Sequence, residues 1–146
     1  MQRPVLLFVA AGLIGLTSCA SSSRSAAKQE RRAEESAAIT AAGKWLRLLD
    51  DGDYEEAFEW EAQDFRLSRT QAQFVRYMQA RRAPFGQTVS RSVIGSAAVQ
   101  KLVGLPDGNY ESVIFKTVFT RKSATAERVI LIRQSIGWRV VDYRIY

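Results

Sequence analysis

Tyr110-Glu111-Ser112-Val113-Ile114-Phe115-Lys116-Thr117-Val118-Phe119-Thr120-Arg121 is followed by Arg128-Val129-Ile130-Leu131-Ile132-Arg133 and by Trp138-Arg139-Val140-Val141-Asp142-Tyr143-Arg144-Ile145-Tyr146. These three runs decide the fold. Each is rich in β-branched and aromatic residues, which suit a pleated, half-buried backbone. Turn chemistry bounds them: Pro106-Asp107-Gly108-Asn109 before the first, Lys122–Ala126 before the second, Gln134–Gly137 before the third. That punctuation predicts an antiparallel meander. Apolar residues fall on both faces, Ile114 and Val118 alternating with Val113, Phe115 and Phe119, and Val129 and Leu131 with Ile130 and Ile132. A sheet wetted on one face alternates more cleanly. The sheet is therefore expected to curve around helices, with a partner or an N-terminal segment over part of its outer face.

Working upstream, Ala38, Ala41, Trp45, Leu48 and Leu49 recur at helical spacing, and Gly52 follows where a helix end favours a left-handed residue. Asp53, with Glu56 three residues on, predicts the cap of a short second helix to about Ala62 that buries Tyr54, Ala57 and Phe58. Ser68-Arg69-Thr70-Gln71 reads as another capping box, with Leu67 as a staple against Ala72. The third helix presents Phe74, Val75, Tyr77 and Met78 and stops near Arg81-Arg82, because Pro84 disfavours helix at Ala83. A first strand is expected over Gln87–Ala98, with Gly95 at a bulge or bend. The fold class is α+β: N-terminal helices packed into a curved antiparallel sheet of about four strands.

At the other end, Arg3 precedes Val5–Leu16, twelve mostly apolar, uncharged residues. That is short for a membrane span, which needs about 20 residues, and fits the apolar region of a signal peptide. Leu16-Thr17-Ser18-Cys19 follows and resembles the bacterial lipobox, in which an aliphatic residue and two small residues precede an acylated Cys. Cys19 is the one Cys in the chain, so no intrachain disulfide forms. The alternative is an ordinary secretory signal cut after Ala20. The expected organisation is a lipoprotein signal over 1–18, a lipidated Cys19 with a flexible Ser/Ala-rich tether over 19–36, and one domain over 37–146. More than one acyl chain anchors a protein stably. The membrane is therefore the expected partner through Cys19, within the bacterial cell envelope. Ala20, where Asp is the usual inner-membrane retention signal in enteric-type Gram-negative bacteria, resembles the pattern of outer-membrane lipoproteins facing the periplasm.

Composition narrows the chemistry. The chain has 146 residues, 21 Lys plus Arg against 15 Asp plus Glu, a formal charge of +6, and no His. Imidazole catalysis and imidazole ligation are excluded. Without Cys or His clusters, metal ligation has no support, and no phosphate-binding Gly-rich loop or nucleophile elbow is present. No cofactor is expected. Basic residues lack the aromatic interleaving of a nucleic-acid face, so no nucleic-acid partner is expected either.

The phrases Trp45-Leu46, Leu49-Asp50-Asp51-Gly52-Asp53-Tyr54, Trp60, Phe65, Pro84-Phe85-Gly86, Leu105-Pro106-Asp107-Gly108-Asn109-Tyr110, Phe115, Phe119, Glu127, Gly137-Trp138-Arg139-Val140 and Tyr143 occur in an order that resembles the small bacterial family called domain of unknown function 4019. The resemblance covers roughly Ala38 to Tyr146. It implies the nuclear transport factor 2-like superfamily, in which three helices pack into a cone-like curved sheet. That superfamily holds ketosteroid isomerase and scytalone dehydratase beside many non-catalytic binding domains. No family catalytic residues exist to carry over, and fold does not settle function.

No catalytic residue is assigned. An enzyme of this shape needs a desolvated carboxylate beside a hydrogen-bond donor, and Asp50, Asp53, Asp64 and Asp142 with Tyr54, Tyr77 and Tyr143 are the candidates. Asp50 and Asp53 read more simply as helix-end residues, and Asp142 as an ion-pair partner of Arg139 or Arg144. Arg81-Arg82, Arg121-Lys122 and Arg128 are candidates for an anion patch. Trp45, Trp60 and Trp138 suit either a ligand pocket or the core. Candidate binding residues are Trp45, Tyr54, Trp60, Trp138, Asp142 and Tyr143. The expected function is a non-catalytic domain that binds an envelope protein or small ligand; the alternative is a small isomerase- or dehydratase-like enzyme.

Overall fold

The computed structural model describes residues 19–146, with side chains from Ser23 onward. The expected signal segment, and the side chain of Cys19, lie outside the described residues. Four helices, α1 (Cys19–Asp51), α2 (Tyr54–Glu59), α3 (Gln63–Ser68) and α4 (Gln71–Arg82), precede four strands, β1 (Thr88–Val99), β2 (Tyr110–Phe119), β3 (Lys122–Gln134) and β4 (Gly137–Ile145). The strands form one antiparallel meander in sequence order, as the turn chemistry predicts.

Bulges curl the sheet, because an extra residue on one strand bends it and raises its twist. Ile94 is the extra residue between the Val93–Phe115 and Gly95–Ile114 pairs, at the glycine expected to mark a bend. Val141 is extra between Ile130–Asp142 and Leu131–Val140, so it turns away from the face that Val140 and Tyr143 share. The helix-facing side of the sheet supplies Val113, Phe115, Val129, Leu131, Val140 and Tyr143 to a core completed by Ala38, Ala42, Trp45, Leu46, Leu49, Phe58, Phe74 and Met78. The apolar stripe of α1 thus runs through Ala42 and Leu46, whereas Ala41 and Leu48, expected there, sit at its edge.

The outer face has its own cover. Tyr110, Ile130 and Val141 pack with Ala62, flanked by Phe65 of α3 and by Leu102 and Leu105 of the β1–β2 loop. A partner or an N-terminal segment was expected over part of this face; interior stretches of the chain cover this part of it, because the β1–β2 loop is long enough to fold back over the sheet. The backbone of Trp60 and Ala62 also pairs with Val140, closing the β4 edge.

Two further expectations change. The segment Ala20–Lys28 is helical, continuous with the rest of α1, where a flexible tether was expected. Its Ala, Arg and Lys residues are good helix formers, and a Ser/Ala-rich run reads equally as linker or exposed helix. The last capping box is Thr70 with Gln73, two residues beyond the expected Ser68. Ser68 instead closes α3 by bonding the Phe65 carbonyl, and Leu67 is exposed rather than stapled. Gly52 takes the expected positive φ, +84°, directly after α1. Asp53 occupies the cap position of α2 without a side-chain cap bond.

Candidate functional site

The concave side of the sheet holds a charged cluster deep among apolar residues. Glu127 lies on the core face of β3 between Thr125 and Val129 and is 0% exposed. Its Oε1 accepts from Arg82 Nη1 (2.9 Å) and from the Tyr143 hydroxyl (2.6 Å). Its Oε2 accepts from Arg91 Nε (2.9 Å) and from the Thr117 hydroxyl (2.5 Å). Asp50, at the end of α1, receives the remaining donors: Oδ1 takes Arg82 Nη2 (2.5 Å) and the Thr88 hydroxyl (2.7 Å), and Oδ2 takes Arg91 Nη1 (2.6 Å). Two guanidinium groups thus alternate with two carboxylates. Each charge has a partner of opposite sign, as buried ions require.

This arrangement sets the titration of its members. Burial opposes the charge on Arg82, and Tyr143, Glu127 and Asp50 outweigh it, so Arg82 holds its proton above the usual range. Burial likewise opposes the charge on Arg91, and Asp50 and Glu127 outweigh it. Burial, with the adjacent Glu127 charge, drives the Tyr143 phenol well above its ordinary pKa. A general base needs a lone pair that substrate can reach. Both oxygens of Glu127 are taken by donors and closed off from solvent, so Glu127 offers no base, and the cluster ties α1 and α4 to all four strands.

A second buried carboxyl, Glu61, lies in a cleft of about 220 Å³ with Tyr77 and Asp142. Desolvation raises its pKa, and the bidentate contact from Arg69 works against that rise.

Two larger clefts flank α1. One, about 490 Å³, lies between the N-terminal half of α1 and the strand ends. Both of its arginines are paired, Arg31 with Glu111 (3.2 Å) and Arg133 with Glu34 (3.0 Å), and Glu30 adds a further acidic group to the lining. The other, about 580 Å³, lies between α1 and the β3–β4 turn and is lined by Lys44, Trp60, Ile136, Trp138 and Arg139. The Arg139 guanidinium sits 5.7 Å from the centre of the Trp60 ring. Trp138 belongs to both clefts and to the core, is 8% exposed, and has an Nε1 donor without an acceptor.

The six candidate binding residues separate accordingly. Trp60 and Trp138 come together around the 580 Å³ cleft. Trp45 and Tyr143 meet edge to face in the core at 5.3 Å, and the Trp45 Nε1 donates to the Ala57 carbonyl (2.9 Å). Tyr54 stands with Asp50 and Arg82 beside a different cleft. Asp142 pairs with Arg128 (3.3 Å) and Arg144 (3.2 Å), while Arg139 goes to Trp60. The basic residues do not gather into an anion patch, because Arg82 is buried in ion pairs and Arg128 is held by Asp142. Arg121 and Lys122 bond the carbonyls of Ala83 and Tyr146.

Asp50 proves to be a cluster ligand rather than only a helix-end residue. Glu127 and Arg91 were not singled out as site residues. Glu127 carries a readable signal, a charge in phase with Val129 and Leu131 on an apolar strand face; Arg91, on a polar strand, carries none.

The family model described as protein of unknown function DUF4019 matches residues 41–143, and the chain belongs to that family. No curated protein matches the chain. Among solved structures it is similar to a Campylobacter jejuni protein described as an NTF2-like transpeptidase, with a TM-score of 0.46 and 13% identity over 68% of this chain and 92% of that one.

Proposed function

We propose that this protein is a bacterial envelope lipoprotein, anchored through acylated Cys19 at the outer membrane and facing the periplasm, whose domain binds a small ligand or an envelope protein without catalysing a reaction. The observation that supports the non-catalytic reading is the full enclosure of Glu127 under Arg82 and Arg91, the same two guanidinium groups that hold Asp50 in ion pairs. The anchoring rests on the lipobox-like Leu16-Thr17-Ser18-Cys19 behind an apolar run. An isomerase- or dehydratase-like activity has one observation in its favour, the raised pKa of Glu61. Arg69 masks that carboxylate, and its cleft of about 220 Å³ falls below the usual ligand-site range.

The binding reading is tested by placing a photo-crosslinking residue at Ile136 in the full-length protein within its native envelope. The expected result is a discrete product that disappears in Trp60→Ala. Labelling that stays diffuse and unchanged by Trp60→Ala overturns the reading. Anchoring is tested separately: labelled palmitate enters the wild type and not Cys19→Ala, and equal incorporation into both rejects acylation at Cys19.

A further inference from the structure

We infer that the cleft between α1 and the β3–β4 turn selects an oxyanion, a carboxylate carried on a flat apolar body; this rests on the binding reading above and adds the class of ligand.

The argument begins with charge. In the neighbouring 490 Å³ cleft, Arg31 and Arg133 are already neutralised by Glu111 and Glu34 and Glu30 adds negative charge, so an anion there must displace an ion pair. The 580 Å³ cleft differs: Lys44 and Arg139 are the charged residues of its lining, and no acidic residue lines it. Neither cation has a carboxylate partner among the described residues. Field lines from two like charges in a concave, apolar-walled site favour an entering anion.

Geometry then narrows the anion. The guanidinium of Arg139 is held 5.7 Å from the Trp60 ring centre, and its Nη1 reaches the Trp138 carbonyl at 3.5 Å. An Arg fixed this way loses little freedom when it binds, and its planar fork matches a carboxylate. Lys44 adds a second, mobile donor. Most of the remaining wall is flat or aliphatic, with the two indole rings, Ile136 and the small side chains of Ala33, Ala37 and Ala41, and Ser36 and Thr40 place two hydroxyls along α1. Such walls accept a planar apolar body, and the volume is of ligand-site size. Trp138, whose Nε1 has no acceptor within the chain, forms the common wall.

The test uses the full-length chain in non-ionic detergent, labelled with 15N at tryptophan, titrated with 1-naphthoate. The indole signals of Trp60 and Trp138 should move while that of Trp45, which is buried away from the cleft, stays in place. In Lys44→Gln/Arg139→Gln the naphthoate affinity should fall about tenfold, the scale of a lost charge-assisted hydrogen bond, with the Trp45 signal unchanged as proof of an intact core. Lys44→Arg, which keeps the charge and leaves the Arg139 fork in place, should retain most of the affinity. Equal affinity in the wild type and the Gln variant overturns the charge selection but leaves a binding cleft. Titration that moves neither Trp60 nor Trp138 overturns the inference outright, and the crosslinking result at Ile136 then decides separately whether the domain binds anything at this face.

Discussion

Glu127 makes the sharpest prediction at the scale of single residues. Removing its charge leaves Arg82 and Arg91 with one fewer anion in a buried setting, and breaking a buried pair in this way costs about 3–5 kcal/mol. Glu127→Ala should therefore lower the urea midpoint far more than Asp142→Ala, whose ion pairs are partly exposed and worth about 0–1 kcal/mol. Similar losses in the two variants would show that the cluster is not structural. Trp138 gives a paired prediction. Trp138→Ala empties part of the core and should cost roughly 3–5 kcal/mol. Trp138→Phe breaks no hydrogen bond, since Nε1 has none, and leaves a smaller cavity, so it should cost clearly less than Trp138→Ala. Equal losses for Phe and Ala would show that the indole contributes more than its packed volume. The sequence exposed this chemistry unevenly. Tyr143 and the tryptophans stand out by type, and Glu127 by its phase on the strand. The pairing of Arg82 with Glu127 spans 45 residues, and that of Arg91 with Asp50 spans 41. Only the docking of α1 and α4 against the sheet brings them together, so local reading left Asp50 at a helix end.

Along α1 the two halves differ in what holds them. From Ala38 the helix buries Ala42, Trp45, Leu46 and Leu49 in the core. Before it, the side chains are mostly exposed, and the links to the sheet are Arg31–Glu111 and Glu34–Arg133. Partly exposed pairs of this kind hold weakly and are screened by salt. Amide exchange should therefore be slow from about Ala38 to Leu49 and fast before Glu30, with the boundary retreating toward Ala38 at high salt. Uniform protection along the helix would show that its N-terminal half is docked by more than these pairs. At the start of α4, Thr70→Ala removes one side of a reciprocal cap and should cost about 1 kcal/mol. Ser68→Ala, at the previously expected cap, should cost less. Strands were legible because their β-branched runs and turn residues are local signals, and β1 emerged at Thr88–Val99 despite its polar content. Two features were not. Ser-Arg-Thr-Gln offers two overlapping caps, which local sequence cannot rank. A Ser/Ala run with scattered charge is composed alike whether it is linker or exposed helix.

For the molecule as a whole, stability should fall on the alkaline side, and the slope identifies the cause. Burial beside Glu127 raises the pKa of Tyr143 above the ordinary value of 10.0. Burial raises Tyr110 as well, helped by Asp107 and Asp64. A group whose folded pKa is raised contributes stability that is complete below its unfolded pKa and lost as pH climbs toward the folded one. The unfolded chain therefore releases these phenolic protons from about pH 10 upward while the folded chain keeps them. Each tyrosine in that window removes about 1.4 kcal/mol per pH unit. The raised arginines do not enter, because their contribution is intact until the pH reaches the ordinary arginine range, above this window. Glu61, raised from 4.5, loses its contribution in the carboxylate range, far below this window. Tyr143→Phe separates slope from offset. It deletes the hydroxyl that bridges Arg82 and Glu127, so the variant should be less stable at neutral pH. Above pH 10 its curve should nevertheless decline less steeply than the wild type, by about 1.4 kcal/mol per unit, so the two curves converge. Urea unfolding at a series of pH values between 8 and 11 measures both quantities. Parallel curves would show that the Tyr143 phenol ionises freely in the folded protein and is not enclosed by the Glu127 cluster.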